Sequence, residues 1–548
     1  MRNTILLGLV FMLITVWVKA QSPVKTDTAV AKPTAKGELI EIINADEAQG
    51  GMIERNGQEL QYMRLKGNVR FRHDKAVMSC DSAYRFVKTN TIEAFGHVRI
   101  KQGDSLTLAG DSLLYDGNTR LARMRGERVV LRDDQMTLTT QHLDFDRENR
   151  LAYYFGGGTI VDDENRLTSK QGYYHTDTEY MRFKDSVTLR GIDPPYQLES
   201  DTLEYSRVGK IAHFRAPTKI ISEGRVLTAQ EGDYNTVSRQ SDFRGGAQVE
   251  TDEYVLRGDT LVYDELTKVG RARRNVSITA KKDSLIIEGD RGYHDGNRGY
   301  SRVIGRALMK NAVEGDTLFI AADTMISLRP PKKPEIRKLL AYPNIRIYRS
   351  DLQGICDSLV YDLADSLLYF YDDPVLWSGE SQLTADSVQV QMANNRIDRL
   401  YMRTNAFIIS TDSLHNFNQI KGRNMTALFQ EGDMRRVDVD GNGESIYFAL
   451  EGDSLMIGMN KVICSNMQIR MAEKKVHEIV FIQQPDAVFI PPHELSEPDR
   501  RLKSFAWRVS ERPAKNNVVR TSVQKPRKPA SAPKVEDTMT SEVIKKEK

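Results

Sequence analysis

The sequence contains few of the residues that metal centres, disulfide scaffolds and redox sites require. Its 548 residues include only three cysteines and nine histidines. Cys80, Cys356 and Cys464 lie far apart without a CxxC pair, and no histidines have the HxxxH or HExxH spacing of paired metal ligands. The thiols are interpreted as small buried hydrophobic groups. We therefore expect neither a metal site nor a cofactor.

Catalytic motifs and an excess of one charge are also missing. The sequence has no nucleophile elbow of the form GxSxG and no phosphate loop of the form GxxxxGK[ST]. The 78 Lys and Arg residues are balanced by 75 Asp and Glu residues, which leaves no basic footprint for nucleic acid. The sequence therefore predicts no enzyme and no nucleic-acid partner.

Long apolar runs are absent except at the start of the chain. A run from Ile5 to Val18 follows Arg2 and ends at Val18-Lys19-Ala20, which is typical of a cleavable signal peptide over residues 1–20. Its core is shorter than the roughly 20 residues that span a bilayer. We expect an exported protein with a Pro- and Thr-rich linker over residues 21–37. Residues 513–548, with nine basic and four acidic residues, are predicted to be a disordered basic tail.

The interior of the sequence is a repeat of about thirty residues. An aromatic residue recurs with gaps of 29 to 31 at Tyr84, Tyr115, Phe145, Tyr174, Tyr205, Tyr234, Tyr263 and Tyr293. Repeats are predicted over residues 38–328 and 341–490. A proline-rich excursion is expected to separate them at residues 329–340, and a closing segment is expected at residues 491–512.

Each unit is predicted to carry two short β-strands. Val69 and Phe71 flank Arg70, and similar alternation recurs along the repeat, as in a half-buried strand. Gly-Asp steps such as Gly110-Asp111 and seven Asp-Ser-Leu triplets are interpreted as turns between strands. The fold class is therefore all-β. Fifteen units stacked at one strand spacing each would give a rod of roughly 70 Å.

The repeat also resembles a known family. The strand Gly67-Asn68-Val69-Arg70-Phe71, followed by strands of the type Asp-Ser-Leu-Leu-Tyr-Asp, resembles the OstA/LptA family of lipopolysaccharide-transport proteins. The resemblance covers residues 38–490 and is strongest from Gly67 to Tyr293. It implies an elongated β-jellyroll. The long form is similar to OstA-like proteins of Bacteroidetes-type Gram-negative bacteria, with Phe505-Ala506-Trp507-Arg508 as a closing motif.

The resemblance implies a non-catalytic periplasmic carrier in the bridge that takes lipopolysaccharide to the outer membrane. A splayed jellyroll would hold the acyl chains of lipid A, and edge strands would pair with other jellyroll-bearing transport proteins, with end-to-end self-association left open. The candidate lipid contacts form the inward row Val69, Phe71, Val98, Ile100, Leu106, Leu108, Leu113, Tyr115, Leu203, Tyr205, Leu261 and Tyr263. Each of these residues also fits an ordinary core.

Two other interpretations compete with the carrier. The first is a structural or adhesive β-solenoid whose core is closed and binds no lipid. The second is an enzyme on a parallel β-helix, which would need charged residues clustered on one exposed face of adjacent coils. The sequence does not distinguish a closed core from an open groove.

Overall fold

The computed structural model describes residues 39–519 except 56, 314–315, 395, 453 and 473–474. The expected signal peptide, the linker and residues 520–548 of the expected tail lie outside these ranges. Almost all of the described chain is β-strand, and every strand pairing in it is antiparallel. The all-β prediction is confirmed. The parallel β-helix is wrong as a scaffold, because its coils need parallel neighbours.

The strands follow one another in a meander. The first twelve are β1 (Glu41–Asn44), β2 (Glu47–Arg55), β3 (Gln58–His73), β4 (Ala76–Phe86), β5 (Thr91–Gln102), β6 (Leu106–Asp116), β7 (Leu121–Arg132), β8 (Thr137–Asp146), β9 (Leu151–Val161), β10 (Asn165–His175), β11 (Tyr180–Gly191) and β12 (Tyr196–Ser206). The next ten are β13 (Ile211–Phe214), β14 (Thr218–Ser222), β15 (Arg225–Ala229), β16 (Glu231–Asn235), β17 (Gln240–Glu250), β18 (Tyr254–Asp264), β19 (Val269–Ala280), β20 (Leu285–Asp295), β21 (Tyr300–Val313) and β22 (Asp316–Leu328).

The meander resumes after residues 329–337, which form most of the segment 329–340 expected to be a proline-rich excursion. These strands are β23 (Lys338–Tyr342), β24 (Ile345–Tyr348), β25 (Gln353–Cys356), β26 (Ser358–Asp362), β27 (Leu367–Tyr371), β28 (Val375–Ser378), β29 (Ser381–Thr384), β30 (Ser387–Ala393), β31 (Arg396–Thr411), β32 (Phe417–Gln430), β33 (Asp433–Glu451), β34 (Leu455–Ala472), β35 (Lys475–Ile482) and β36 (Asp486–Ile490). One short helix, α1 (Lys515–Val519), follows them.

Most long strands bend near their middle. In β5 the buried side chains are Ile92 and Ala94 before the bend and Val98 and Ile100 after it, so both halves present an apolar face to the same side. At β12 the two halves have different partners, since its first half pairs with β14 and its second half with β13. The bends therefore divide the ladder into two half-sheets, which we name sheet A, containing residues 91–95, and sheet B, containing residues 98–102.

Consecutive residues with positive φ make these bends. Gly96 and His97 have φ of 76° and 45°, a conformation that glycine adopts without steric cost. The carboxylate of Asp81, on the neighbouring strand, lies 2.7 Å from Nδ1 of His97. The same arrangement recurs at Asn68, whose amide donates to Asp46 at 2.8 Å. An acidic residue on one strand thus fixes the bend of the next.

This arrangement corrects the prediction for several Gly-Asp steps. Gly110-Asp111, Gly258-Asp259 and Gly289-Asp290 lie inside β6, β18 and β20 and not between strands. Asp111 accepts a hydrogen bond of 2.8 Å from the backbone amide of Glu127, at the bend of β7. A residue that bonds its own turn and one that bonds a neighbouring bend have the same local sequence. The strands are accordingly longer than the predicted short pairs.

The two sheets face one another. His73 ends β3 on sheet B and Tyr115 lies near the end of β6 on sheet A, at opposite ends of the ladder. Eleven extended residues span about 36 Å, yet Nδ1 of His73 lies 2.7 Å from the Tyr115 hydroxyl. The ladder is therefore folded over along its bends. Each thirty-residue unit adds two strand spacings, so the rod is about twice the expected 70 Å.

The predicted closing segment crosses the outer face of sheet B in the second half of the rod. We name residues 491–519 the strap. Leu502 is buried, and Phe505 and Trp507 pack against Phe407 and Phe448 and their apolar neighbours. The strap extends into the first seven residues of the expected tail, where Val518 is fully buried against Leu308 and Ala321.

Buried glutamines hold the strap in place. Gln419 donates to the carbonyl of Arg500 at 2.7 Å and accepts from the amide of Leu502 at 2.8 Å. Gln382 makes the same paired contacts with the carbonyl of Ala506 and the amide of Arg508. Each side-chain amide therefore binds the strap backbone as a neighbouring strand would.

Candidate functional site

The candidate site is the space between the two sheets. The inward row predicted from the sequence lies there: eleven of its twelve residues are buried with at most 3% exposure, and Leu106 is half-buried against the same core. One apolar cluster runs from Ile40 to Ile469. The period-two pattern thus placed these residues correctly. Their contact with lipid stays a prediction.

Two of the repeating aromatic residues lie elsewhere. Tyr84 and Tyr293 are half-buried and belong to the outer face, whereas Ala83 and His294 occupy the inward positions beside them. A shift of one residue along a strand moves a side chain to the other face of the sheet. The aromatic spacing is therefore more regular than the placement of the rings.

A line of polar contacts closes the side of the molecule opposite the bends, where the turns of sheets A and B meet. We name this line the seam. At Tyr115, Arg147 donates to the hydroxyl at 2.7 Å, and its Nε donates to Gln102 at 3.0 Å. Arg120 and Asp74 pair across the seam at 3.2 Å. The contacts of Arg147 with Gln102 and of Arg120 with Asp74 each join a turn of sheet A to the end of a sheet B strand or its turn.

The seam continues at Arg207, which is buried. The Tyr174 hydroxyl donates to Asp133 at 2.6 Å, and Arg207 lies 3.7 Å from both Asp133 and Glu179. Burial, and then the hydrogen bond to Asp133, raise the pKa of Tyr174 above its usual range, so the phenol remains a donor. One cation and two carboxylates therefore hold a tyrosine across the gap.

A third group surrounds Glu265, which is 2% exposed. Tyr234 donates to it at 3.0 Å, Arg239 lies 3.6 Å away, and Arg225 reaches it from the sheet B side at 3.9 Å. Buried charges persist only when paired. Opening the seam here would therefore separate a buried ion-pair network.

Past this network, His294 lies inside the seam. Its Nδ1 is 2.8 Å from the Ser301 hydroxyl, and its ring centroid is 3.9 Å from that of Tyr254. Burial lowers the pKa of His294 to about 4. The imidazole is thus neutral at pH 7.

The second half of the rod has more apolar side chains at the corresponding turns. Met392, Met434 and Met471 lie beside turns of sheet A and pack against the core, and Leu352 is buried beside a turn of sheet B. Methionine adapts its shape readily to new neighbours. Entry of a hydrocarbon chain would therefore break fewer polar contacts here than at Glu265.

The sequence reading missed the seam. Three of its residues, Arg147, Arg207 and Glu265, stand two positions after the aromatic repeat, a position that Gly117, Thr176 and Thr236 occupy in other units. The position was detectable from the period, but the residue types change from unit to unit. Only the fold-over brings them opposite their partners.

The described part of the chain has neither a metal-binding cluster nor a membrane-spanning helix. No group of three or more His, Cys, Asp or Glu side chains there is placed to hold a metal ion. Within the same ranges, no helix has the length and apolarity to cross a bilayer.

Comparison with known proteins identifies the repeat. A family described as OstA-like protein matches residues 38–201 and 192–259. Residues 38–259 belong to the OstA-like family. The OstA-like region includes both polar seam groups around Arg147 and Arg207, and part of the group around Glu265.

A solved structure and the curated proteins add little to this assignment. The structure is LptH of Pseudomonas aeruginosa, described as the LptA homologous periplasmic component of a lipopolysaccharide transport device. It shares 14% identity, covers 22% of this chain and 82% of its own, and has a TM-score of 0.19, so the likeness supports no argument by itself. No curated protein matches the chain.

Proposed function

We propose that this chain is a non-catalytic periplasmic carrier of lipopolysaccharide that forms part of the bridge to the outer membrane. The observation that carries the proposal is the apolar interior between sheets A and B, which continues as one cluster from Ile40 to Ile469. The OstA-like family assignment supports it. Acyl chains are apolar and extended, as is this space.

Access to the interior must come through the seam. The bends on the other side are continuous backbone, whereas the seam is held by side chains that can exchange their partners for water. In the state described here the interior is filled by its own side chains. Loading therefore requires the two rows of turns to move apart while hydrocarbon replaces contacts between core residues.

The ends of the rod fit partners that add a strand. The edge strands β35 and β36 pair only with β34 among the described residues. Val488 and Phe489 on β36 are each 53% exposed. Exposed edges of this kind pair with further strands. We propose that other jellyroll-bearing transport proteins, or a second copy, dock here.

The strap leaves these edges uncovered. It begins after Ile490 and runs back to Leu308 and Ala321, so the last described residues lie near the middle of the rod. This routing supports end-to-end assembly.

Depletion of the protein in its source bacterium tests the carrier function. Pulse-labelled lipopolysaccharide should accumulate at the inner membrane within one depletion period, and re-expression of the chain should restore its transfer. Normal transfer during depletion would contradict the proposal.

The structural β-solenoid remains a second candidate, because the interior is packed and the seam is closed by hydrogen bonds. It predicts that a membrane-impermeant amine reagent labels the chain on intact cells. The carrier predicts labelling only after the outer membrane is permeabilised.

A further inference from the structure

Sheet B carries a uniformly basic outer face in the first part of the rod. Its half-strands from β3 to β11 contain no Asp or Glu residue. The outward positions hold eight exposed basic side chains, Arg70, Arg72, Arg99, Lys101, Arg128, Arg132, Arg166 and Arg190. The net charge of the whole chain is only +3. Charge is therefore segregated to this face, which we name the basic strip.

The basic strip is not neutralised within the described chain. None of its eight residues forms an ion pair with another described residue, and its side-chain bonds include Arg132 to Thr137 at 3.3 Å and Arg190 to Gln197 at 3.0 Å. On sheet A, by contrast, Arg125 pairs with Asp144 at 2.6 Å. Sheet A thus pairs some of its outward arginines with carboxylates, as at Arg125, Arg182 and Arg244, whereas the strip pairs none of its eight basic residues among those described.

Like charges even stand opposite each other on the strip. Arg166 on β10 is the register partner of Arg190 on β11. Directly opposed like charges destabilise a sheet. An anionic group between the two guanidinium groups would remove this repulsion and bind both.

The strip fits a glycan better than a membrane. The side chains between the basic residues are mostly short and hydroxylic, at Ser79, Thr107, Thr137, Thr139, Thr159, Thr168 and Thr188. Arginine binds phosphate and carboxylate in bidentate fashion, and hydroxyl groups bind sugar hydroxyls. The strip offers no aromatic side chain of the kind that anchors proteins in a bilayer interface.

Acidic residues border the strip. Asp133 and Asp162 lie in the turns at one edge, where each accepts hydrogen bonds from two backbone amides of its own turn. Asp81 and Asp111 lie at the bends along the other edge. The basic strip lies between these two acidic edges. Nine strand layers make it about 38 Å long, enough for several sugar rings.

We propose that the basic strip binds the phosphate- and carboxylate-bearing saccharide of lipopolysaccharide whose acyl chains lie between the sheets, an inference that rests on the proposed function. Arg72, Lys101, Arg132 and Arg166 each lie within two residues of a turn of sheet B, and these turns form one side of the seam. A head group that emerges through the open seam crosses those turns and meets this row. The interior then holds the hydrocarbon, and the outer face holds the sugar.

A charge-neutralised variant tests the strip. The full chain carrying Arg132→Gln, Arg166→Gln and Arg190→Gln is compared with a matched control, Arg64→Gln, Arg273→Gln and Arg302→Gln, which removes three exposed arginines from the outer face of sheet A. Binding to purified lipopolysaccharide should weaken about tenfold or more in the first variant and less than about twofold in the control, since only the first loses bidentate anion contacts. Equal circular dichroism spectra and melting temperatures verify that both variants fold.

Chemically altered probes identify the bound group. With lipopolysaccharide that has been dephosphorylated and carboxyl-reduced, the strip variant and wild type should bind equally. Equal binding of the two variants to intact lipopolysaccharide would overturn the inference. It would also be overturned if the strip variant lost binding to phosphatidylglycerol vesicles or to lipid-free polygalacturonate as strongly as it lost binding to lipopolysaccharide. If wild type binds no lipopolysaccharide at all, the proposed function itself fails. If wild type binds and forms adducts from interior positions while the strip variant is unaffected, only the strip is wrong.

Discussion

Tyr174 donates a hydrogen bond of 2.6 Å to Asp133, although the two residues occupy opposite edges of the folded ladder. The bond joins sheet A to sheet B on the side where no backbone connects them. Arg207 lies beside it and faces both Asp133 and Glu179. The interior is thus closed by side chains on one side and by covalent backbone on the other.

Arg207→Met should destabilise the protein, because it leaves two partly buried carboxylates without their cation. We expect a loss of about 2–4 kcal/mol, read as a lower midpoint of urea unfolding. Arg182→Met, which removes an exposed ion pair with Glu204 at 3.6 Å, should cost less than about 1 kcal/mol. Equal midpoints for the two variants would show that the seam contributes no special stability.

Gly96→Ala should destabilise the bend in β5. The new Cβ would overlap an Asp81 carboxylate oxygen, at a φ of +76°. Gly103→Ala is the matched control, because it also has a positive φ but no atom within 4 Å. We expect about 1 kcal/mol for the control and at least about 2 kcal/mol for Gly96, by urea unfolding. The steric account is contradicted if the control loses as much.

His294 should make the protein sensitive to mild acid. Its pKa is lowered to about 4 by burial, so below pH 6.5 the unfolded chain binds a proton that the folded chain excludes. This contribution to stability is complete above pH 6.5 and is lost as the pH falls toward 4. The expected slope is up to about 1.4 kcal/mol per pH unit.

His294→Gln should flatten that slope in unfolding experiments from pH 7 to pH 4.5. His97→Gln serves as the control, since the hydrogen bond to Asp81 raises the pKa of His97, and stability from such a group is lost as pH rises. An unchanged acid slope in His294→Gln would show that other groups set it.

The regular parts of the fold could be predicted from the sequence. Val69 and Phe71 alternate with Arg70 within a strand, so local periodicity determines which side chain faces inward. The bends could not be predicted in the same way. Asp111 follows a glycine as a turn residue would, and its partner Glu127 is sixteen residues away.

The seam and the strap depend on contacts that no local pattern encodes. Arg207 meets Asp133 at a separation of 74 residues along the chain, only because the ladder folds over. Gln382 binds the backbone of Arg508 at a separation of 126 residues. The residue type at such a position depends on a single distant partner, so it does not recur in every thirty-residue unit.

Gln419→Ala should loosen the strap. It removes both hydrogen bonds to the strap backbone at Arg500 and Leu502 and leaves buried backbone groups without partners. Trypsin should then cleave after the exposed Lys503 several-fold faster than in wild type. Gln430→Ala, on the exposed end of the same strand, is the control. Equal cleavage rates in all three proteins would mean that the glutamine does not hold the strap.

The measurement that tests the central claim most directly is photocrosslinking from inside the rod. A benzophenone amino acid at Phe71, which is fully buried, is irradiated with lipopolysaccharide present. A second sample carries Gln102→Cys and Arg147→Cys, joined by a short bis-maleimide that alkylates both thiols. A control carries the same link between Asp81→Cys and His97→Cys at a bend. The native thiols should not react, because burial raises the pKa of Cys80 to about 11 and that of Cys356 to about 12, and also raises that of the buried Cys464.

We predict a lipid adduct in the unlinked and bend-linked proteins and its loss in the seam-linked protein. Absence of an adduct in the unlinked protein would contradict the carrier, and an adduct that survives the seam link would contradict access through the seam.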